Sequence, residues 1–318
     1  MYACCWDWLC MGSKYYSMGV KDMSLQSIIQ TILSNLHLVG ILALATMGIM
    51  LVFKTSFTTN FAQGMMATIG VFTAATLITK FGFNRFIAIG AGILISFIIG
   101  ILIDTIIIRK AKNINVVGKQ MITMGLVIVI TAIIPIVFGT IPLEFGRFFD
   151  GNLNFAIAGM NLFITKNGLF IVVASTIIIS IVYIALNFTK WGLGVRSTAA
   201  NETVASMMGV NTKVITAMSW SIAGALGAIA AIFLASQNGS VEASMMVSTQ
   251  VNGFLASVLG GFFSFYGPLV GAALIPICKS LIAIFSGVWS GVILYTLVLL
   301  VVLIKPVGLF GKKISKKV

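Results

Sequence analysis

The chain has 318 residues, 59% of them hydrophobic, and a mean hydropathy of +1.11, well beyond the roughly 45 to 50% apolar content of soluble domains. It carries 20 Lys and Arg against 7 Asp and Glu, a net charge of +13. The charges are scattered over segments between apolar runs instead of forming a basic patch interleaved with aromatics, so nucleic acid is excluded as a partner. What remains is an integral membrane protein, with the lipid bilayer as its solvent.

The first 22 residues, MYACCWDWLCMGSKYYSMGVKD, differ in character from the rest of the chain and lack the basic start, apolar centre and small-residue cleavage site of a signal peptide. Cys4, Cys5 and Cys10 fit no zinc or iron–sulfur spacing, and no His lies near them. Translation from Met23 would run directly into the first apolar segment. The expected organisation is therefore an atypical segment over 1–22, then one transmembrane domain over 23–318.

A hydrocarbon core of about 30 Å needs about 20 apolar residues per helix. Eight uncharged runs of that order are read, at 27–53, 61–79, 86–108, 120–139, 168–188, 214–236, 267–285 and 287–304. They are continuous and do not alternate with period two, which excludes barrel strands. The predicted fold class is all-α, a polytopic membrane protein of about 8–9 transmembrane helices.

In the first run His37 lies beside Asn35. A lone His without an intramembrane carboxylate reads as a packing or interface residue. NFAQG precedes the bulk of the second run and sets Asn60, Gln63 and Gly64 at its mouth. Asp104, the only acidic residue inside a run, stands five positions before Arg109 and reads as a paired or snorkelling group near the membrane boundary.

A ninth stretch, QVNGFLASVLGGFFSF from Gln250, is short and Gly-rich. It reads either as a broken or re-entrant helix or as a short ordinary helix in the bundle. Gly267-x-x-x-Gly271, Gly287-x-x-x-Gly291 and SIAGALGAIAA at 221–231 provide small residues at helical spacing for close packing. Cys278 lies inside a run, where a thiol behaves as a small apolar residue.

Orientation is set by Lys and Arg. Lys305, Lys312, Lys313, Lys316 and Lys317 in the tail, and Arg109, Lys110, Lys112 and Lys119 after the third run, point to the cytoplasm. The segment between the fourth and fifth runs, with Glu144 and Asp150, reads as external. Counting the ninth stretch as a crossing gives nine passes with the C-terminus in the cytoplasm.

The loop WGLGVRSTAANETVASMMGVNTKVI, 191–215, holds a predicted short helix over 197–209. Ser197 or Thr198 would cap it, and Gly209 would stop it. Ala199, Val204, Ala205 and Met208 supply an apolar side, and Asn201, Glu202 and Thr203 a polar one. Such a helix needs a surface to lie on.

Nucleotide, dinucleotide and zinc-protease motifs are absent from the sequence, as are paired carboxylates within helical reach. The expectation is a chain that is no enzyme and has no metal or cofactor of its own.

The pattern G-x-x-x-R-x-x-A-x-N-x-x-x-A-x-x-x-G-[IV]-N, carried by Gly192, Arg196, Ala199, Asn201, Ala205, Gly209 and Asn211, resembles the coupling loop of the permeases of branched-chain amino-acid ABC importers. The resemblance extends from about residue 25 to the end. It includes NFAQG, IDTIIIRKAK, LASVLGGFFSFYGPLVGAALI and the terminal KPVGLFGKK. Phe263 and Phe265 stand where the family usually has small residues, RKAK lacks the family's proline, and 1–22 matches nothing in it.

The resemblance implies a permease in a prokaryotic cell membrane, taking branched-chain or other hydrophobic amino acids from an extracytoplasmic solute-binding protein. It implies a second permease subunit and separate ATP-binding subunits that use the ATP. The seven loop residues would contact the ATPase, with Arg196 paired to an acidic group there or on this chain. Two roles stay open for NFAQG. Asn60, Gln63 and Gly64 line the solute pathway, or Asn60 caps the second helix with Gln63 in support. The same topology would serve a permease for ribose, nucleosides or urea. An ion-coupled carrier would show intramembrane charges, and their near absence beyond Asp104 argues against it.

Overall fold

A computed structural model describes residues 25–111, 114–157, 160–262 and 264–311. The segment 1–22 with its three cysteines, the start at Met23, and Lys112, Phe263, Lys312, Lys313, Lys316 and Lys317 lie outside the described residues. The described elements in order are α1 (Leu25–Ser56), α2 (Gln63–Thr79), α3 (Arg85–Leu102) continued by a π-helical turn (Ile103–Ile108), α4 (Val116–Phe138), β1 (Leu143–Glu144), β2 (Asn152–Ile157), β3 (Met160–Thr165) and α5 (Lys166–Phe188). Next come α6 (Lys190–Ala200), α7 (Glu202–Met207), α8 (Thr212–Asn238), β4 (Ser240–Val241), α9 (Met245–Gly260), α10 (Gly267–Ser286), a 3-10 turn (Gly287–Trp289) and α11 (Ser290–Ile304).

The protein is an all-α, polytopic bundle. Among the described residues, six stretches are long and apolar enough to cross a membrane: Leu25–Ser56, Arg85–Ile108, Val116–Phe138, Lys166–Phe188, Thr212–Asn238 and Gly267–Ile304. The last, of 38 residues, holds both α10 and α11. It folds on itself, because Leu309 N–H donates to Leu259 O at 2.8 Å and returns the end of α11 to where α9 ends. The second predicted run, α2, has only 17 residues. The Gln250 stretch is a continuous helix that begins earlier, at Met245, and stops at Gly261, whose φ is +93°.

Small residues decide how the helices meet. The buried positions of α3 are Ala88, Gly92, Ser96 and Gly100, every fourth residue, while Phe86, Ile87, Leu94, Ile98 and Leu102 are exposed. A Cβ on Gly100 would lie 2.7 Å from Ser221 Cα, and one on Gly70 would lie 2.8 Å from Gly92 O. Ser96 donates to Met66 O at 3.0 Å. In a bilayer no hydrophobic effect drives helices together, so dispersion at backbone contact distance and such hydrogen bonds must do it. The 221–231 segment of α8 takes part, with Ala223, Gly224, Gly227, Ala228, Ala230 and Ala231 buried. Gly271 packs on the backbone of Ala256 in α9, but Gly287 and Gly291 have nothing within 4 Å of an added Cβ and form no seam. Gly287 instead makes the turn between α10 and α11, at φ +48°.

The bundle has two ends. At one, Arg109 Nη2 pairs with Asp104 at 2.9 Å and donates to Lys213 O at 3.0 Å, tying the π-helical turn to the start of α8. The paired reading of Asp104 is the one found. At the other end, β2 and β3 form an antiparallel hairpin, held to α1 by Gln30, whose amide donates to Phe163 O at 2.9 Å and accepts from Phe163 N–H at 3.0 Å. Arg85 donates to the carbonyls of Gly146 and Arg147 and lies over the Phe148 ring at 4.6 Å. His37 is buried.

Replacing Gly100 by Leu is expected to force α3 off α8 and destabilise the bundle by about 1–3 kcal/mol or more. Gly90→Leu, on the same helix with open space around it, should be neutral. Thermal unfolding of the two variants in detergent, monitored by size-exclusion chromatography, checks the contrast, and equal midpoints would contradict it.

Candidate functional site

The loop after α5 is an elbow of two helices, and this corrects the predicted single helix over 197–209. Helix α6 already starts at Lys190, capped by Thr189 Oγ1, which accepts from Gly192 N–H at 3.1 Å. Ser197 and Thr198 sit inside it and cap nothing; Ser197 donates to Gly194 O at 3.0 Å. The break comes at Asn201, whose Oδ1 accepts from Val204 N–H at 3.1 Å and so starts α7. An Asn that can satisfy a free first-turn N–H favours a new helix start over continuation.

The seven pattern residues have distinct places in this elbow. Gly192 is buried where a side chain would strike the last carbonyls of α5. Arg196 donates to Asn187 O at 3.2 Å, a carbonyl at the C-terminal end of α5, and the guanidinium suits that end of the helix dipole. Ala199 is half-buried, and Ala205 is buried. Gly209 takes φ +84° and lets the chain leave α7. Asn211 Oδ1 accepts from Val214 N–H at 3.3 Å and caps α8. The elbow exposes an apolar group, with Met207 and Met208 each 81% accessible and Val204 beside them, next to exposed Asn201, Glu202, Thr203 and Ser206. Glu202 lines a cavity of about 300 Å³ with Asp104, Arg109 and Lys119, which joins the elbow to the π-helical turn.

Asn60, Gln63 and Gly64 come together deep in the bundle. Phe57, with φ +49°, turns the chain back after α1, and Thr58, Thr59, Asn60 and Ala62 are all buried. Gln63 Nε2 donates to Ala45 O at 3.0 Å, so α2 begins about three turns of α1 before the end of that helix. Asn60 Oδ1 accepts from Ala62 N–H at 3.0 Å, and Asn60 O accepts from Gln250 Nε2 at 3.1 Å. Phe61 stacks on Phe254 of α9 with centroids 4.8 Å apart. A Cβ on Gly64 would lie 3.2 Å from Gln250 Cβ. Gln63 Oε1 is buried with no hydrogen-bond partner among the described residues. Gln250 joins this cluster as a member that sequence reasoning did not single out, although an amide in an apolar helix was the available signal.

A separate cavity of about 450 Å³ lies between α1, α8, α9, α10 and α11, toward the hairpin end, and includes Asn35, Asn238, Asn252 and Lys279 but none of Asn60, Gln63 and Gly64. Lys279 corrects the sequence reading in a simple way. The run 267–285 is not uncharged, and Asp104 is not the only charge within the apolar segments. One lysine was hidden by the high mean hydropathy of its neighbours.

A bundle of this kind, with six helices fit to cross a bilayer and polar side chains buried between them, defines a multi-pass membrane protein. Residues 31–303 match the family described as the permease component of the branched-chain amino acid transport system, and the chain belongs to that family. It is 28% identical over 309 residues to a probable branched-chain amino acid transport permease protein, LivH, of Methanocaldococcus jannaschii, covering 92% of this chain and 94% of the relative. It is 24% identical over 300 residues to the high-affinity branched-chain amino acid transport permease BraD of Pseudomonas aeruginosa, covering 91% and 98%. To LivH of Escherichia coli it is 28% identical over 136 residues, 42% of this chain and 44% of that one. No solved structure matches.

Removing the Asn201 cap by Asn201→Ala is expected to cost about 1 kcal/mol locally, a factor of about five in opening. Hydrogen exchange at the Val204 amide should accelerate by that factor while amides of α8 keep their rates. An unchanged Val204 rate would mean that the Asn201 side chain does not hold the start of α7.

Proposed function

We propose that this chain is the membrane permease of an ABC-type importer of branched-chain or other hydrophobic amino acids. In this reading the elbow α6–α7 lies in the cytoplasm and receives the push of ATP-binding subunits, which use the ATP. A second permease subunit completes the pathway, and an extracytoplasmic solute-binding protein delivers solute at the hairpin end. The observation that carries the reading is the elbow itself, a short helix shaped by Gly192, Asn201, Ala205, Gly209 and Asn211 that offers Val204, Met207 and Met208 to a partner. Exposed methionines on so short an element suit a protein partner, because their flexible thioethers fill irregular pockets. Family membership and the names of the relatives support the solute class.

The orientation is supported by charge. Arg109, Lys119, Lys190, Arg196, Lys213 and Lys305 all belong to segments at the elbow end, in keeping with the preference of Lys and Arg for the cytoplasmic side. The elbow is linked to the bundle through α5, which Arg196 holds, and through the cavity that Glu202 shares with Asp104 and Arg109. Motion of α7 therefore acts on the ends of α3, α5 and α8 together, as rocking of helices between inward-open and outward-open states requires.

Asn60, Gln63 and Gly64 are proposed as the constriction of the pathway. The unpartnered Gln63 oxygen supports this, because a buried acceptor without a donor is costly and a passing ammonium would satisfy it. The first turn of α2 adds free N–H groups and the positive end of its dipole at the same depth.

Co-purification with mass spectrometry tests the importer reading. An ATP-binding subunit should be recovered with the wild type and be at least about tenfold depleted when Met207 and Met208 are both replaced by Glu, a change on exposed positions that leaves the bundle intact. Recovery of no ATP-binding subunit from mild detergent, or equal recovery with the double variant, would count against it. Gln63→Leu is expected to lower uptake several-fold in assembled complexes, and normal uptake would take Gln63 off the pathway. Arg196→Glu sets a carboxylate against the C-terminal carbonyls of α5 and should uncouple ATP hydrolysis from transport, read as hydrolysis without uptake in proteoliposomes.

A further inference from the structure

The cavity between α1, α8, α9, α10 and α11 holds about 450 Å³, within the range of small-molecule sites. Lys279 is the only charged residue of its lining. It stands in the apolar run Gly267–Ile304, where an ammonium without a partner is costly and marks a functional position. The one ion pair among the described residues is that of Arg109 with Asp104, so none of the described carboxylates answers this charge.

The rest of the lining has two kinds of chemistry. Three amides face the cavity. Asn35 Nδ2 is already committed to Thr31 O at 2.9 Å, which leaves Asn35 Oδ1 as an acceptor, and Asn252 Oδ1 is held by the Tyr295 hydroxyl at 3.1 Å. Asn238, the last residue of α8, is the third. Beside them Leu38, Ile41, Leu234 and Ile275 form an apolar wall. A cation, neutral acceptors and an aliphatic surface within one cavity are the three complements of a zwitterion with an aliphatic side chain.

We infer that this cavity is a binding subsite for a free aliphatic amino acid, with its carboxylate on the Lys279 ammonium, its ammonium on the Asn35 oxygen, and its side chain against Leu38, Ile41, Leu234 and Ile275. The inference rests on the importer reading above and says where, apart from the Gln63 constriction, the solute pauses. Toward the hairpin end, the subsite is the first station after release from a solute-binding protein. Lysine suits a transient site, since a single point charge holds a carboxylate without the rigid two-point grip of arginine.

Binding of radiolabelled leucine to the assembled importer in lipid nanodiscs, without the solute-binding protein and with leucinamide as competitor, tests the subsite. The wild type should prefer leucine to leucinamide by about tenfold or more, the size of one charge-assisted interaction. Lys279→Met should abolish that preference and weaken leucine by a similar factor, while Lys279→Arg keeps most of both. If the Met variant fails to assemble with its ATP-binding subunits, Lys279→Gln is read in the same way.

Unchanged affinity and preference in the neutral variant would mean that Lys279 only snorkels toward headgroups, and would overturn the subsite. So would an absence of leucine binding in a wild-type complex that imports leucine once the solute-binding protein is added, an outcome that leaves the importer reading standing. A wild-type complex that imports no amino acid at all would bring down both.

Discussion

Contact between helix backbones is the constraint on which the rest of this structure depends. In lipid, apolar side chains gain nothing by leaving their surroundings for one another, and unpaired backbone groups have no water to turn to. The bundle answers with small residues on α3 and α8 that bring carbonyls and Cα atoms to van der Waals distance. Helices held so closely leave few places for anything else. Those places are the fold-back before α2, the cavity around Lys279 and the elbow at the far end.

The fold-back shows how irregular backbone survives at that depth. Thr58, Thr59, Asn60 and Ala62 are buried in protein, and the turn carries its own hydrogen bonds, from Ala62 N–H to Asn60 Oδ1 and from Gln250 to Asn60 O. Gln63 spans to α1 with its donor and keeps its acceptor free. The same three amides therefore build the turn and leave one polar atom without a partner. The cap of α2 expected at Asn60 is not formed, because Ala62 takes the N-cap position without a side-chain cap and Asn60 Oδ1 closes the turn just before it, while the unused atom belongs to Gln63.

The elbow divides its labour in a comparable way. Glycines and asparagines of the sequence pattern set its shape, because a close approach at Gly192 and a left-handed turn at Gly209 call for glycine, and Asn201 and Asn211 supply side-chain acceptors that cap α7 and α8. The apolar side chains it exposes, Leu193, Val204, Met207 and Met208, lie between the pattern positions, and Arg196 ties the elbow back to α5.

Composition and run length alone determine that this chain is a helical membrane protein and locate its helices within a few residues, because crossing a hydrocarbon slab demands continuous apolar length whatever the neighbours. Gly209 and the pairing of Asp104 with Arg109 were equally legible, since both depend on residues close in sequence. The start of α6 at Lys190 and the break at Asn201 were not, because glycines that look like breakers at 192 and 194 are tolerated only where Leu186 and Ile215 pack against them. Gln250 beside Asn60, the depth at which α2 begins, the α3 stripe against Ser221, and the placing of an exposed Lys279 on one cavity with three amides all join residues far apart in the chain. Tertiary structure alone decides these, because in a bundle the partner of a polar group is set by which helices the small residues allow to touch.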